Sequence, residues 1–452
     1  MPEQPTQLLD PLFRSEAMRE IFSDQRRLQG MLDFEAALAR ALVRAGIAPK
    51  KILPAVRSQC DAKLFDMESL AREAALAGNL AIPMVKALTA LVARKDEKAA
   101  GFVHWGATSQ DAIDTGTVLQ LRDAMDLLDR DLGKLAEVLT RLAKEHRSTL
   151  VAGRTWLQQG PPVTFGLKAA GWLDAIERYR ERIAEARNRV LVLQFGGAVG
   201  TLAALGDRGL DVAAALADEL KLGLPSTPWH AHRDRFTEAA TILGLLTGTM
   251  GKVARDISLM AQTEVGEVAE PDAPGRGGSS TMPHKRNPVG SAVVLAAAIR
   301  VPALVSVMLS SMVQEHERGL GGWHAEWETL PDICTLTAGA LAHLTYILDG
   351  LVIHEDKMAA NLGITKGQNL SEAVAVALAE KTGRLPAHKT MERASRRAAE
   401  SGRPLKDVLM EDAEVRKQLS AADLTRLLDP SNYIGSAEKM IGQVLSGKKN
   451  RK

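Results

Sequence analysis

One apolar spacing recurs over three long stretches of this chain, and it narrows the accessible folds sharply. From Met125 the apolar positions run Met125, Leu128, Leu132, Leu135, Leu139 and Leu142, an alternation of three and four that stacks them on one helix face. Trp172, Ile176, Tyr179, Ile183, Ala186, Val190 and Leu193 repeat it, and Ala240, Leu243, Thr247, Met250, Ala254, Ile257 and Ala261 continue it with small residues admitted. Three such segments joined by Gly- or Pro-rich breaks predict an all-α fold around a bundle of long helices crossing at shallow angles. Aromatic residues are only 4% and the one β-branched run, at Val190 to Val192, already fits a helical seam, so sheet content is expected to be minor.

At 452 residues the chain exceeds one minimal core. We expect an amino-terminal helical domain over 1–113, the long-helix bundle over 114–361 and a small carboxy-terminal helical domain over 362–452. In the first, Leu28, Met31, Leu38 and Leu42 point inward from a helix predicted over Arg26 to Ala45, with Gly46 as its C-cap and Pro49 just beyond. A break is expected near Asn361, Leu362 and Gly363. A formal net charge of +2 gives no reason to invoke nucleic acid or a membrane surface, and the basic run Lys448-Lys449-Asn450-Arg451-Lys452 reads as a solvated tail. No leader pattern and no uninterrupted apolar stretch long enough to span a bilayer is found, so a cytoplasmic location is expected. Cys60 and Cys334 lack ligand spacing and read as buried free thiols.

Three polar segments interrupt the helical pattern. Gly106-Ala107-Thr108-Ser109-Gln110-Asp111 offers hydroxyls at the start of a helix, where free N–H groups suit a carboxylate or where Thr108 or Ser109 is an ordinary N-cap. Gly153-Arg154-Thr155-Trp156-Leu157-Gln158-Gln159-Gly160-Pro161-Pro162 reads as a loop before the second long helix. Gly277-Gly278-Ser279-Ser280-Thr281-Met282-Pro283-His284-Lys285-Arg286-Asn287-Pro288 combines glycines that allow close approach, hydroxyls and cations between stiffening prolines, as an anion site with proton transfer requires. Two apparent phosphate motifs fail. The stretch from Thr247 to Lys252 lies within a helical pattern, and Gly196-Gly197-Ala198-Val199-Gly200 follows no credible strand. His230-Ala231-His232 is too sparse for a metal site.

Together the three segments resemble the signature regions of the fumarase/aspartase superfamily, and the resemblance spans nearly the whole chain. It implies an all-helical three-domain subunit, a homotetramer whose active sites combine regions from three subunits, and no cofactor or metal. It further implies reversible addition or elimination beside a carboxylate, through a carbanion whose charge fixed donors must hold. By the same resemblance Ser280 is the catalytic residue that exchanges the proton at the carbon α to the carboxylate. Lys285 and Asn287 hold the charge that accumulates there, and Thr108, Ser109 and Gln158 supply further hydrogen bonds.

Within the superfamily, His316-Glu317-Arg318 and Leu330-Pro331-Asp332 resemble the adenylosuccinate lyase branch, but three departures stand against that activity. Trp156 replaces the histidine expected to act as general acid, Ala77-Gly78-Asn79 lacks a second histidine, and Trp327 stands where an arginine holds a nucleotide phosphate. Loss of such a partner costs about 2–5 kcal/mol. The departures resemble instead the 3-carboxy-cis,cis-muconate cycloisomerase branch, in which the substrate's own carboxylate adds across a double bond and no leaving group needs an acid. That resemblance implies a small tricarboxylate substrate. Asn79, Trp156, Arg318, His324 and Trp327 become candidate binding residues, the two tryptophans lining the pocket unless they are core. Arg154, Arg286 and Lys86 are further candidate cations, as are Lys285 and Arg318. An amine-releasing lyase and a sulfomuconate cycloisomerase are the alternatives.

Overall fold

A computed structural model describes residues 7–278, 280–282 and 284–447. Ser279, Pro283 and the basic tail from Lys448 to Lys452 lie outside the described residues. Among those described, helices dominate, and strands form two small antiparallel pairs, Leu150–Thr155 with Gln158–Thr164 and Val268–Ala269 with Val352–Ile353. The fold is all-α, as the seams predict.

Five long helices organise the chain: Ser109–Glu145, Phe165–Val190, Asp234–Met260, Val289–Ser310 and Gly322–Asp349. The three predicted seams lie on the first three, except that Leu193 and Ala261 fall past the helix ends and Val192 forms a β-bridge with Gly223; their positions are buried almost throughout. The other two escape a reading by periodicity because they are apolar on nearly every side, which leaves no polar face to outline a stripe. Val289–Ser310 also departs from the expectation about bilayer-length segments. Its best window reaches a mean hydropathy of 2.3, long and apolar enough to cross a membrane by composition alone, although only 33% of that window is buried.

The chain divides into two compact units. The first comprises Met1–Gly133, Arg178–Gly251 and Val293–His343. Within it the helices pack closely: Tyr179 Oη lies 2.9 Å from the Leu245 carbonyl, and a Cβ on Gly251 would stand 2.6 Å from that of Ala298. The helix predicted over Arg26 to Ala45 is found at Asp24–Arg44, started by the Ser23 hydroxyl, which accepts from Arg26 N, and stopped by Ala45, with left-handed Gly46 next.

The second unit comprises Lys134–Glu177, Lys252–Ala292 and Leu344–Lys452. Its small helices enclose a core of Val374, Leu378, Met391, Leu405, Leu409 and Val415. The break expected near Asn361 proves to be the last turn of the helix Glu355–Gly363, whose Asn361 side chain is anchored on the Val265 carbonyl at 2.8 Å. The segment read as a loop around Trp156 is the first strand pair. Its prolines and glycines hide the two-residue alternation, and a Cβ on Gly153 would stand 2.5 Å from the Pro161 carbonyl, so the irregular register there requires glycine.

Candidate active site

In the first unit the polar residues radiate from Asp111, a carboxylate with no solvent exposure one turn into Ser109–Glu145. Its Oδ2 accepts from the backbone of Thr108 at 3.0 Å and of Gly197 at 2.9 Å, and its Oδ1 from Gly196 N at 3.0 Å and Gln194 Nε2 at 3.2 Å. His230 Nε2 completes the set at 2.7 Å, which requires the proton on that nitrogen. The glycine-rich run from Gly196 therefore gives two amides to a protein carboxylate rather than to phosphate, and His230 is a buried anchor.

This hub sets the orientation of the half-buried residues above it. Thr108 Oγ1 accepts from Arg318 Nη1 at 3.0 Å, while Arg318 Nη2 donates to the Ala198 carbonyl at 2.8 Å. Thr108, the adjacent Ser109 and Arg318 thus share one polar face.

The start of Gly322–Asp349 holds the next group. The rings of His324 and Trp327 lie 4.5 Å apart, and Trp323 meets Trp327 edge-on at 4.8 Å. Beneath them Arg233, fully buried, donates to Asp114 Oδ2 and to Glu326 Oε2, each at 2.6 Å, and lies 5.0 Å from the rings of Trp229 and Phe236. Burial alone would weaken the proton's hold on Arg233, but the two carboxylates outweigh it and push the pKa up. His324 Nε2 reaches the Gly78 carbonyl at 3.2 Å, and Asn79 Oδ1 accepts from Ile82 N at 3.1 Å at the head of the next helix. Gly78, Asn79 and Trp327 line one groove of about 450 Å³.

The second unit holds the other candidates. Trp156 and Leu157 form the hairpin turn, both with positive φ, at 54° and 63°. Two left-handed residues suit the twist of a two-residue hairpin, yet neither is the usual Gly or Asn, and each costs about 1–2 kcal/mol. Trp156 is 98% exposed, which rules out core packing for it within this chain, and Gln158 beside it is exposed too. Below the turn Arg154 donates twice to Glu267, at 2.6 and 2.9 Å, and Glu267 also accepts from Asn361. Arg154 is thereby a structural tie from the hairpin to the segment leading into the Ser280 loop, not a free cation.

That loop is closed at its base. Asn287 N donates to the Gly277 carbonyl at 2.8 Å, Gly277 has φ 68°, and a Cβ there would stand 2.8 Å from the Asn287 carbonyl. The Asn287 amide reaches Gly278 O at 3.4 Å, and Lys285 N donates to Met282 O at 3.0 Å. Glu270 caps the following helix by accepting from Gly290 N and from both N and Oγ of Ser291. Ser280 and Lys285 are exposed. Arg286 pairs with Asp272, and in the first unit Lys86 lies 3.7 Å from Glu73, so both of these proposed cations have partners.

The structure thus groups Asn79, Thr108, Ser109, Arg318, His324 and Trp327 in the first unit, and Trp156, Gln158, Ser280, Lys285 and Asn287 in the second. Sequence reasoning overlooked Asp111, Asp114, Arg233, Glu267 and Glu326, which orient the others. Only Asp111 carried a local signal, since an acid three residues after a threonine cap is half of a capping box.

Comparison with known proteins adds the family context. A family model described as Lyase matches residues 13–303, and one described as Adenylosuccinate lyase C-terminus matches residues 367–444. The chain is 56% identical over 440 residues to a 3-carboxy-cis,cis-muconate cycloisomerase of Pseudomonas aeruginosa, covering 97% of this chain and 96% of that one. It superposes with TM-score 0.92 and 53% identity on the crystal structure of 3-carboxy-cis,cis-muconate lactonizing enzyme from Pseudomonas putida, covering 98% of each chain. A trans-aconitate decarboxylase 1 of Mycosarcoma maydis is 40% identical over 438 residues, covering 97% of this chain and 88% of that one.

Proposed function

The chain belongs to the lyase family of the fumarase/aspartase superfamily, and from that premise we propose that it is a cofactor-independent cycloisomerase converting 3-carboxy-cis,cis-muconate to 4-carboxymuconolactone. The observation that carries this reading is full-length identity above half to a relative of that name, joined to the replacement of an acid histidine by Trp156. An intramolecular addition expels no amine and so needs no proton donor there.

In this mechanism a carboxylate oxygen of the substrate forms a C–O bond to the diene. The displaced electron pair moves to the carbon α to a second carboxylate, which takes up the charge as an aci-carboxylate. The Ser280 hydroxyl then delivers a proton to that carbon. Lys285 and Asn287 hold the charged carboxylate, while Thr108, Ser109, Gln158 and Arg318 bind the remainder. Ser280 and Lys285 are exposed on a loop whose base is hydrogen-bonded shut, which suits groups that meet a ligand rather than the core.

The proposal includes a homotetramer with shared active sites, a three-part division at 113/114 and 361/362, and a cytoplasmic enzyme. The apolar helix Val289–Ser310 supports association, because Ile299 is 75% and Leu309 52% exposed within one chain. The carboxy-terminal match keeps one second reading, an amine-releasing lyase of the adenylosuccinate type. Purified enzyme should bleach the diene absorbance of 3-carboxy-cis,cis-muconate, and Ser280→Ala should abolish the bleaching while the oligomer stays intact. Release of fumarate from adenylosuccinate, a comparable rate on sulfomuconate, or an active Ser280→Ala enzyme would each reject a defined part of the reading.

A further inference from the structure

Arg27 and Trp327 present buried donors that no group among the described residues satisfies. Arg27 Nε and Trp327 Nε1 are shut off from solvent without a hydrogen-bond partner, although Arg27 Nη2 donates to the Trp327 carbonyl at 3.0 Å. Asp24 and Glu328 attract the guanidinium only at longer range. Buried N–H groups are nearly always paired, and a buried guanidinium without a bonded carboxylate is costly to keep.

Both side chains line a cavity of about 60 Å³, walled otherwise by Met31, Leu80, Phe236 and Leu330 among others. Arg27, Leu80 and Trp327 also line the groove of about 450 Å³ that contains Asn79. Asp114 and Glu326 face the same cavity, but both are bonded to Arg233, so they leave Arg27 uncompensated. An acceptor with two oxygens and negative charge fits a guanidinium edge and an indole N–H better than a lone water does.

A tricarboxylate needs several cations, and of those named from sequence, Arg154, Arg286 and Lys86 already have acidic partners. We infer that Arg27 and Trp327 form the subsite that receives the additional carboxylate of a tricarboxylate substrate, Arg27 Nε–H and Trp327 Nε1–H each donating to it. The inference rests on the cycloisomerase reading and deepens it. Trp327 then serves as more than a filler in a phosphate arginine's place, because the cation comes from the helix Asp24–Arg44 instead.

The test uses the full-length enzyme with Arg27→Lys, which keeps charge but loses the fork, and Trp327→Phe, which keeps the ring but loses the N–H. Two readouts separate this inference from the one beneath it: KM and kcat on 3-carboxy-cis,cis-muconate, and calorimetric affinity for propane-1,2,3-tricarboxylate against glutarate. Each variant should raise KM at least tenfold with kcat within threefold, and should erase the wild-type preference for the tricarboxylate. Variants that retain that preference and the wild-type KM overturn the subsite, as does a crystal of the tricarboxylate complex with only water against Arg27 Nε. A wild-type enzyme inactive on carboxymuconate whose tricarboxylate preference still depends on Arg27 rejects the reaction and upholds the subsite.

Discussion

The half-buried Thr108 and Arg318 of the first unit are tied to a buried carboxylate below them, whereas Trp156, Gln158, Ser280 and Lys285 of the second are exposed on a hairpin turn and a loop. Thr108 rests on Asp111, which five protein donors surround, and Arg318 in turn bonds Thr108. Ser280, Lys285 and Trp156 are exposed, and the ties recorded near them lie below, in Arg154–Glu267 and in the Gly277–Asn287 closure. The contrast fits a division of labour: preorganised donors hold an anion, and exposed groups reach a ligand that arrives later.

The largest break in the comparison comes from the exposed side. Lys285→Met should lower kcat by about 100–1,000-fold, with a melting temperature unchanged, because Lys285 is exposed; a stability loss equal to the activity loss would contradict the assignment. Next comes the buried side. Asp111→Ala should cost about 3–5 kcal/mol of stability by leaving His230 and four N–H groups without their acceptor, measurable by denaturant unfolding. A loss below about 1 kcal/mol would show that the hub organises nothing.

Trp156 sharpens the contrast, since its turn is strained and its ring contacts solvent in the single chain. Trp156→Gly should leave stability within about 1 kcal/mol of wild type or raise it, by relieving positive φ. Turnover should nevertheless fall at least tenfold. Such a split means that the strain is kept for function. Unaltered turnover would make the tryptophan incidental.

The smallest effect is a pH dependence at the root of the first unit's loop. His104 has φ 57°, with Nδ1 2.5 Å from Glu35 Oε1 and its backbone N donating to Oε2 at 3.0 Å. Burial pushes the imidazole down, but the Glu35 carboxylate more than offsets it and holds the pKa above the ordinary 6.5. The pair's stabilisation is therefore complete below pH 6.5 and fades as pH rises through the raised value. The difference in melting temperature between wild type and His104→Asn should shrink from pH 6 to pH 9; a difference that grows would reverse the sign.

The three helical seams are legible in sequence because their residues recur at three and four positions, and the Ser280 loop stands out because its glycines, hydroxyls and cations fall in one run from Gly277 to Pro288. The Trp156 segment is half legible: its residue types mark a site, but its prolines obscure a hairpin whose register depends on Gly153 meeting the Pro161 carbonyl. Arg154 could be read as a substrate cation until Glu267, more than a hundred residues on, occupied it. The role of Asp111 as a hub and the open Nε of Arg27 escaped for the same reason, since Gly196, His230 and Trp327 lie far off in sequence.

Periodicity and breaks thus settle the helical class, and the three polar segments carry the family resemblance from which the proton-moving role of Ser280 is proposed. Which polar groups are already paired, and which remain open to a ligand, depends on long-range approach. Burial strips water from Arg233, Asp111 and the Nε of Arg27 alike, and only the folded chain supplies partners to the first two while leaving the third without one among the described residues.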